Sequence, residues 1–210
     1  LKEVANELET PVAIHLDHGA GMPQAVRAIK YGATSVMIDA STKAFEENVE
    51  ITRAVVNIAK CGGITVEGEL GHVGSAANGD ETGSYTEVGA AAEFVKQTGV
   101  DALAVMVGTA HGKYKKAPVL AIDRIAELHK AVNAHLVLHG GSGVPDDQIK
   151  AAVNAGVRKI NYATDVCYAY IECCKQLDPY GEPFDMLLTH PENAVKEFAA
   201  DRIRLLGGAR

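Results

Sequence analysis

Three histidines, His18, His111 and His139, each follow a short apolar run rich in β-branched residues. A lone histidine in that position is more often a hydrogen-bonded structural residue than a ligand. Three imidazoles brought to one mouth from separate strand ends change the chemistry on offer. With a fourth position left open, they form a catalytic zinc site able to polarise a carbonyl or activate water. Other polar residues stand at equivalent places: Asp17 beside His18 in His15-Leu16-Asp17-His18, then Asp39, Glu69 and Asn161. His15 lies earlier on its strand and is expected to pack or to support a neighbour. His72, His129, His135 and His190 are expected on surface loops or helices, with the loop of His72 bordering the mouth.

A second constellation is Gly140-Gly141-Ser142-Gly143 after one apolar run and Asn161-Tyr162-Ala163-Thr164-Asp165 after the next. Glycines let an anion approach backbone N–H groups, and Ser142 and Thr164 place hydroxyl donors near helix starts. Either loop alone could be a plain connection. Together they follow the last two strands of the chain, the pair that most often holds phosphate in a β/α barrel. The run His111-Gly112-Lys113-Tyr114-Lys115-Lys116 sets cations directly after a candidate ligand. Such a run is usually a solvated loop, but Lys115 could close over a bound anion.

These residues need a scaffold, and the order of apolar and amphipathic stretches describes one. Strands are expected at Val12 to Leu16, Ser35 to Ile38, Ile64 to Glu69, Ala102 to Val107, Leu136 to Leu138 and Lys159 to Asn161. Each is followed by a helix, beginning near Met22, Phe45, Glu87, Ile122, Pro145 and Thr164. Pro23 and Pro145 suit first helical turns, and Gly32, Gly99 and Gly156 suit helix ends. Repeated βα units imply a parallel sheet, and an α/β fold of the TIM (β/α)8 type. Six strands are visible where eight are needed, so roughly 60 to 70 residues, about two βα units, are expected before Leu1. The whole of 1–210 reads as a single barrel domain, N-terminally incomplete, with a C-terminal helix over 191–206 outside the barrel.

Composition narrows the partners. The 210 residues are 47% hydrophobic, enough for one well-buried core. A formal charge of −7 provides no basic field for nucleic acid. No apolar run approaches the roughly 18 residues needed to span a bilayer. Cys61, Cys167, Cys173 and Cys174 lack metal-ligand spacing and read as reduced thiols of a cytosolic protein, the last three as small apolar residues of one helix.

Six segments in order carry a resemblance: His15-Leu16-Asp17-His18-Gly19, Ser35-Val36-Met37-Ile38-Asp39, Val66-Glu67-Gly68-Glu69-Leu70-Gly71, Gly108-Thr109-Ala110-His111-Gly112, Leu138-His139-Gly140-Gly141-Ser142-Gly143 and Lys159-Ile160-Asn161. The sequence resembles the class II fructose-bisphosphate and tagatose-bisphosphate aldolases. The resemblance implies Zn2+ held by His18, His111 and His139, and Asp17 as the acid/base for a substrate C4 hydroxyl. It implies that Asp39 and Glu69 are carboxylates near the metal. Gly112, Gly140 and Ser142 would bind the phosphate of the dihydroxyacetone half, helped by Asn161 and Thr164. A monovalent cation, Na+ or K+, is common near Gly112 and Gly140 in the tagatose-like branch, to which Ala163 points. A cytosolic homo-oligomer, dimer or tetramer, is expected. The loop from His72 to Tyr85 departs from the family pattern. A mobile glutamate usual there has its counterpart in Glu81 or Asp80, unless the stretch is only a solvated loop.

Three other readings compete. A metal-dependent hydrolase acting on a phosphorylated substrate would want a second metal or a His-x-His pair on the first strand, which His15-Leu16-Asp17-His18 lacks. A Schiff-base aldolase would want an interior lysine, and Lys159 begins its strand rather than ending it. A non-catalytic relative would have no need of Asp17 together with all three histidines.

Overall fold

A computed structural model describes residues 1–72, 85–114, 116–178 and 180–207. Glu81 and Lys115, with Asp80, lie outside the described residues. After a short helix α1 (Lys2–Glu7), strands and helices alternate: β1 (His15–Gly19), α2 (Met22–Lys30), β2 (Ser35–Ile38), α3 (Phe45–Cys61), β3 (Thr65–Leu70), α4 (Val88–Thr98), β4 (Ala102–Val105), α5 (Ile122–Ala131), β5 (His135–Leu138), α6 (Asp146–Ala155), β6 (Val157–Ile160) and α7 (Thr164–Gln176). A final helix α8 spans Phe184–Leu205.

The strands form one parallel sheet in chain order, β1 to β6, with β1 and β6 at its edges among the described residues. Strand alternation divides the apolar residues between two faces. Val36, Ile38, Leu103, Val105, Leu136 and Leu138 pack with helix residues such as Val49, Phe94, Ile125 and Ile149. On the other face, Met37, Ala104 and Val137 form a small separate cluster with Ala102. Gly68 occurs in a strand for a packing reason: a Cβ there would lie 3.0 Å from Phe94 and 3.2 Å from Val100. The sheet curls around its concave face, so that Lys159 of β6 reaches Glu67 of β3, and Asn161 beyond β6 reaches Asp17 of β1.

The expected strands all occur, displaced by up to three residues. The first begins at His15 rather than Val12 and runs on to Gly19, and the last begins at Val157. The final helix begins at Phe184, well before 191, with Pro183 at its start and Pro191 inside it. Pro191 lacks an N–H for the preceding turn, which makes it look like a boundary in sequence, yet it is buried and the helix continues through it. Cys167 and Cys174 are exposed rather than packed, because α7 buries none of its side chains.

Candidate active site

The mouth of the sheet is built from the ends of β1, β2, β3, β5 and β6 and from the loop after β4. On β1 the pairing register shifts between Leu16 and Gly19, and His18 adopts φ 46°. A non-glycine residue in the left-handed region is strained by roughly 1–3 kcal/mol. The distortion lets two successive side chains, Asp17 and His18, both serve the mouth, which a regular strand would send to opposite faces.

His18, His111 and His139 each offer a ring nitrogen within a cluster no more than 4.8 Å across. Their partners assign the protons. His18 Nδ1 lies 3.0 Å from Asp39 Oδ2 and His139 Nε2 lies 2.8 Å from Glu67 Oε1. A carboxylate can only accept, so both nitrogens are donors. His18 Nε2 and His139 Nδ1 are then left facing each other at 3.0 Å. Two bare lone pairs at that separation would repel, so the arrangement calls for a positive charge there, either a proton on the His18 ring, whose pKa the Asp39 bond raises, or a metal ion facing both nitrogens. His111 adds a buried Nε2 with no hydrogen-bond partner among the described residues. The donor set therefore fits a metal ion with three imidazole ligands. A second cluster, His18, Asp39 and Glu69, adjoins it, so both expected carboxylates stand beside the same imidazole.

The electrostatics follow from these contacts. The Asp39 bond raises the pKa of His18 against the opposing effect of burial, and the same bond holds Asp39 far below the ordinary carboxylate range. Ser41 helps by donating its hydroxyl to Asp39 Oδ1 at 2.7 Å, and His72 Nδ1 lies 3.3 Å from that hydroxyl. Burial and the neighbouring His18 and His139 lower the pKa of His111. Burial would raise Glu67, but the His139 bond and the nearby Lys159 ammonium outweigh it and the net shift is downward.

Asp17 accepts two contacts from Asn161 Nδ2, at 3.0 Å to Oδ1 and 3.2 Å to Oδ2. Both residues line a cavity of about 120 Å3 with His18, His111, Gly112, Gly140, Ser142 and Thr164. A second cavity of about 280 Å3 adjoins it across Gly112, Ser142 and Thr164, bordered by Lys113 and Tyr168. Ser142 is buried, and its Oγ accepts the backbone N–H of Asp165 at 3.1 Å, which leaves the hydroxyl proton to donate elsewhere. Gly140 has φ +67°, and a Cβ there would lie 2.4 Å from Ala110 O. Gly141 differs from its neighbours: its N–H is already given to Asn161 O at 3.0 Å and is not free for an anion.

Several participants had escaped sequence reasoning. Tyr114 sits in the cationic run, yet its hydroxyl ties the His111 loop to the next one, reaching Ala110 at 2.7 Å and Gly140 O at 3.0 Å. Glu67 is 1% exposed, and its position two residues before Glu69 on one strand was the available signal. Lys159 does not offer a free amine: its Nζ lies 2.9 Å from Glu67 Oε2.

Comparison with known proteins places the chain in a family. The family described as fructose-bisphosphate aldolase class-II matches residues 1–210. The sulfofructosephosphate aldolase of Alkalicoccus urumqiensis is 41% identical over 202 residues, covering 94% of this chain and 70% of that protein. The fructose-bisphosphate aldolase of Geobacillus stearothermophilus is 38% identical over 208 residues, covering 96% and 72%. The crystal structure of the YdjI aldolase from Escherichia coli K12 superposes with a TM-score of 0.88 at 38% identity, over 98% of this chain and 73% of that one.

Proposed function

As a member of the class II fructose-bisphosphate aldolase family this chain is an aldehyde-lyase, and we propose that it is zinc-dependent and reversibly cleaves a ketose 1,6-bisphosphate to dihydroxyacetone phosphate and glyceraldehyde 3-phosphate. The observation that carries this reading is the approach of His18 Nε2 to His139 Nδ1 at 3.0 Å, each ring held by a carboxylate at its other nitrogen, beside His111 Nε2, which is buried with no hydrogen-bond partner among the described residues. A bound Zn2+ would supply Lewis-acid polarisation of the ketose carbonyl. Breaking the C3–C4 bond requires the C4 hydroxyl to lose its proton, and Asp17 is the carboxylate at the cavity wall available to take it. Asn161 holds Asp17 through both oxygens, so the base is oriented before substrate arrives. Ser142, Thr164 and the backbone at Gly112 and Gly140 receive the phosphate of the dihydroxyacetone half, and anchoring that end keeps the reacting carbons beside the histidines.

In the same reading the curled sheet belongs to an eight-stranded (β/α)8 barrel, a monovalent cation sits near Gly112 and Gly140, and the enzyme is a cytosolic homo-oligomer. The substrate's far end is open to variation, because the relatives are named for sulfofructosephosphate and for fructose bisphosphate. The test is a cleavage assay with fructose 1,6-bisphosphate, tagatose 1,6-bisphosphate and sulfofructose 1-phosphate, before and after chelation and with zinc restored. Activity on at least one bisphosphate, lost on chelation and regained with zinc, is expected. Turnover that survives chelation, or a borohydride-trapped adduct with dihydroxyacetone phosphate, would refute the zinc reading.

A further inference from the structure

Beneath the histidines lies a layer of charge that cleavage chemistry does not call for. His15 and Glu67 stand two residues before the mouth residues Asp17 and Glu69 on their strands, and Lys159 of β6 stands two residues before Asn161, just past the end of that strand. Alternation therefore puts each of them on the same concave face, one step deeper. Glu67 is buried and bridges the layer. Its Oε1 accepts from His139 Nε2 at 2.8 Å, while Oε2 lies 2.9 Å from Lys159 Nζ and 3.5 Å from His15 Nε2. His15 is anchored in turn, its Nδ1 lying 2.9 Å from Ser35 Oγ. The Lys159 nitrogen is buried, and its contact with Glu67 is an ion pair rather than an aligned hydrogen bond.

The interior of a β/α barrel is ordinarily filled by apolar side chains, mostly branched ones, and this face has apolar residues at Val137, Met37 and Ala104. A buried ion pair among them is a poor device for stability, since replacing such a pair with apolar residues of similar volume is often neutral or stabilising. Its geometry suits another task. Glu67 accepts the hydrogen bond of the His139 Nε2–H and so turns Nδ1 toward His18. Without Lys159, Glu67 would lose its closest partner at the second oxygen, leaving only the longer 3.5 Å contact with His15 to fix which oxygen faces His139. Lys159 itself touches neither the cavity at the mouth nor any of the three histidines in the contacts above.

We propose that Lys159 and Glu67 are positioning residues which fix the orientation and tautomer of His139, and that they set the affinity of the three-histidine site for its metal rather than the stability of the fold. The inference rests on the metal reading of His18, His111 and His139. An outer carboxylate of this kind typically contributes 10- to 100-fold in metal affinity.

The decisive comparison uses Co2+ and Zn2+ alone, with chelator competition for the dissociation constant, the visible spectrum of the Co2+ form, and thermal melting of the metal-free protein. The double variant Glu67→Leu/Lys159→Met removes both charges and keeps the volume. It is expected to melt close to the parent, relief of the buried ion pair being offset by the lost acceptor of the His139 ring, to bind Zn2+ about 10- to 100-fold more weakly, and to shift the Co2+ bands. Glu67→Gln, isosteric and still able to accept from His139, carries the test should the double variant not fold; with Lys159 then facing an amide, it too is expected to weaken Zn2+ and alter the Co2+ spectrum. Parent-like affinity and spectrum in the folded variants would overturn the proposal, as would a loss of melting temperature with metal affinity unchanged. If the parent itself binds neither metal, the three-histidine reading fails first, and a result of that kind is distinct from one in which the parent binds and the variants bind equally well.

Discussion

Replacing Asp17 with Asn separates chemistry from architecture, and the contacts around Asp17 set the expected size of each effect. The carboxylate is not a member of the His18, His111 and His139 group and, among the described residues, accepts only from Asn161 Nδ2, at 3.0 and 3.2 Å, in an exposed setting. An asparagine keeps the shape and one acceptor, so one of two weak contacts is lost. At an exposed position the stability cost should stay within about 0.5 kcal/mol. Proton acceptance is lost outright. A positioned general base contributes roughly 10²- to 10⁴-fold, equal to about 2.7–5.4 kcal/mol at 1.36 kcal/mol per decade. The catalytic effect therefore exceeds the structural one at least fivefold. Asp17→Asn should melt like the parent, retain its metal, and cleave the bisphosphate at least about 100-fold more slowly. Exchange of the dihydroxyacetone phosphate C3 proton with solvent should be much less affected, since the family resemblance implies that a glutamate of the His72 to Tyr85 loop, and not Asp17, serves that step. Metal content by atomic absorption, melting temperature, single-turnover cleavage and proton exchange by NMR give the four readouts. Loss of metal would make Asp17 a ligand or a ligand's support, and parent-like cleavage would place the base elsewhere.

Other substitutions probe the remaining parts. His111→Ala should lose both metal and turnover, because it deletes one of three imidazoles; full zinc occupancy by atomic absorption would show the ligand set to be wrong. Ser142→Ala and Thr164→Ala should each weaken phosphorylated ligands by about 1–3 kcal/mol in calorimetric titration while leaving unphosphorylated analogues nearly unchanged; equal weakening of both would refute the phosphate site. Gly140→Ala meets φ +67° and Ala110 O at 2.4 Å together. It should destabilise the protein by more than the roughly 1–2 kcal/mol of a left-handed alanine alone, and a denaturation midpoint equal to the parent's would show that the loop rearranges freely.

Much of the architecture was legible in the chain because its signals are local. Runs such as Ser35 to Ile38 and Leu136 to Leu138 are short, apolar and β-branched, and Gly99 ends α4 in the left-handed conformation that its residue type favours. Signals failed where a local rule met a tertiary override. Pro191 looks like a helix boundary but is buried within α8, and Cys167 and Cys174 of α7 look apolar but are exposed.

The candidate site divides in the same way. Residue type and strand-end position were enough to select His18, His111, His139, Asp17 and Asn161, since ligands and bases must project from a common edge whatever the packing beneath. Which nitrogen of each imidazole faces the others was beyond the sequence. That depends on Asp39 meeting His18 and Glu67 meeting His139, contacts between residues 21 and 72 positions apart. The distortion at His18, which lets two successive side chains serve one mouth, and the reach of Lys159 to Glu67 across the curl likewise exist only once the sheet has curled. Side-chain chemistry is a property of the residue, whereas the direction of a lone pair is a property of the neighbour that holds the proton on the other side of the ring, and only the tertiary structure chooses that neighbour.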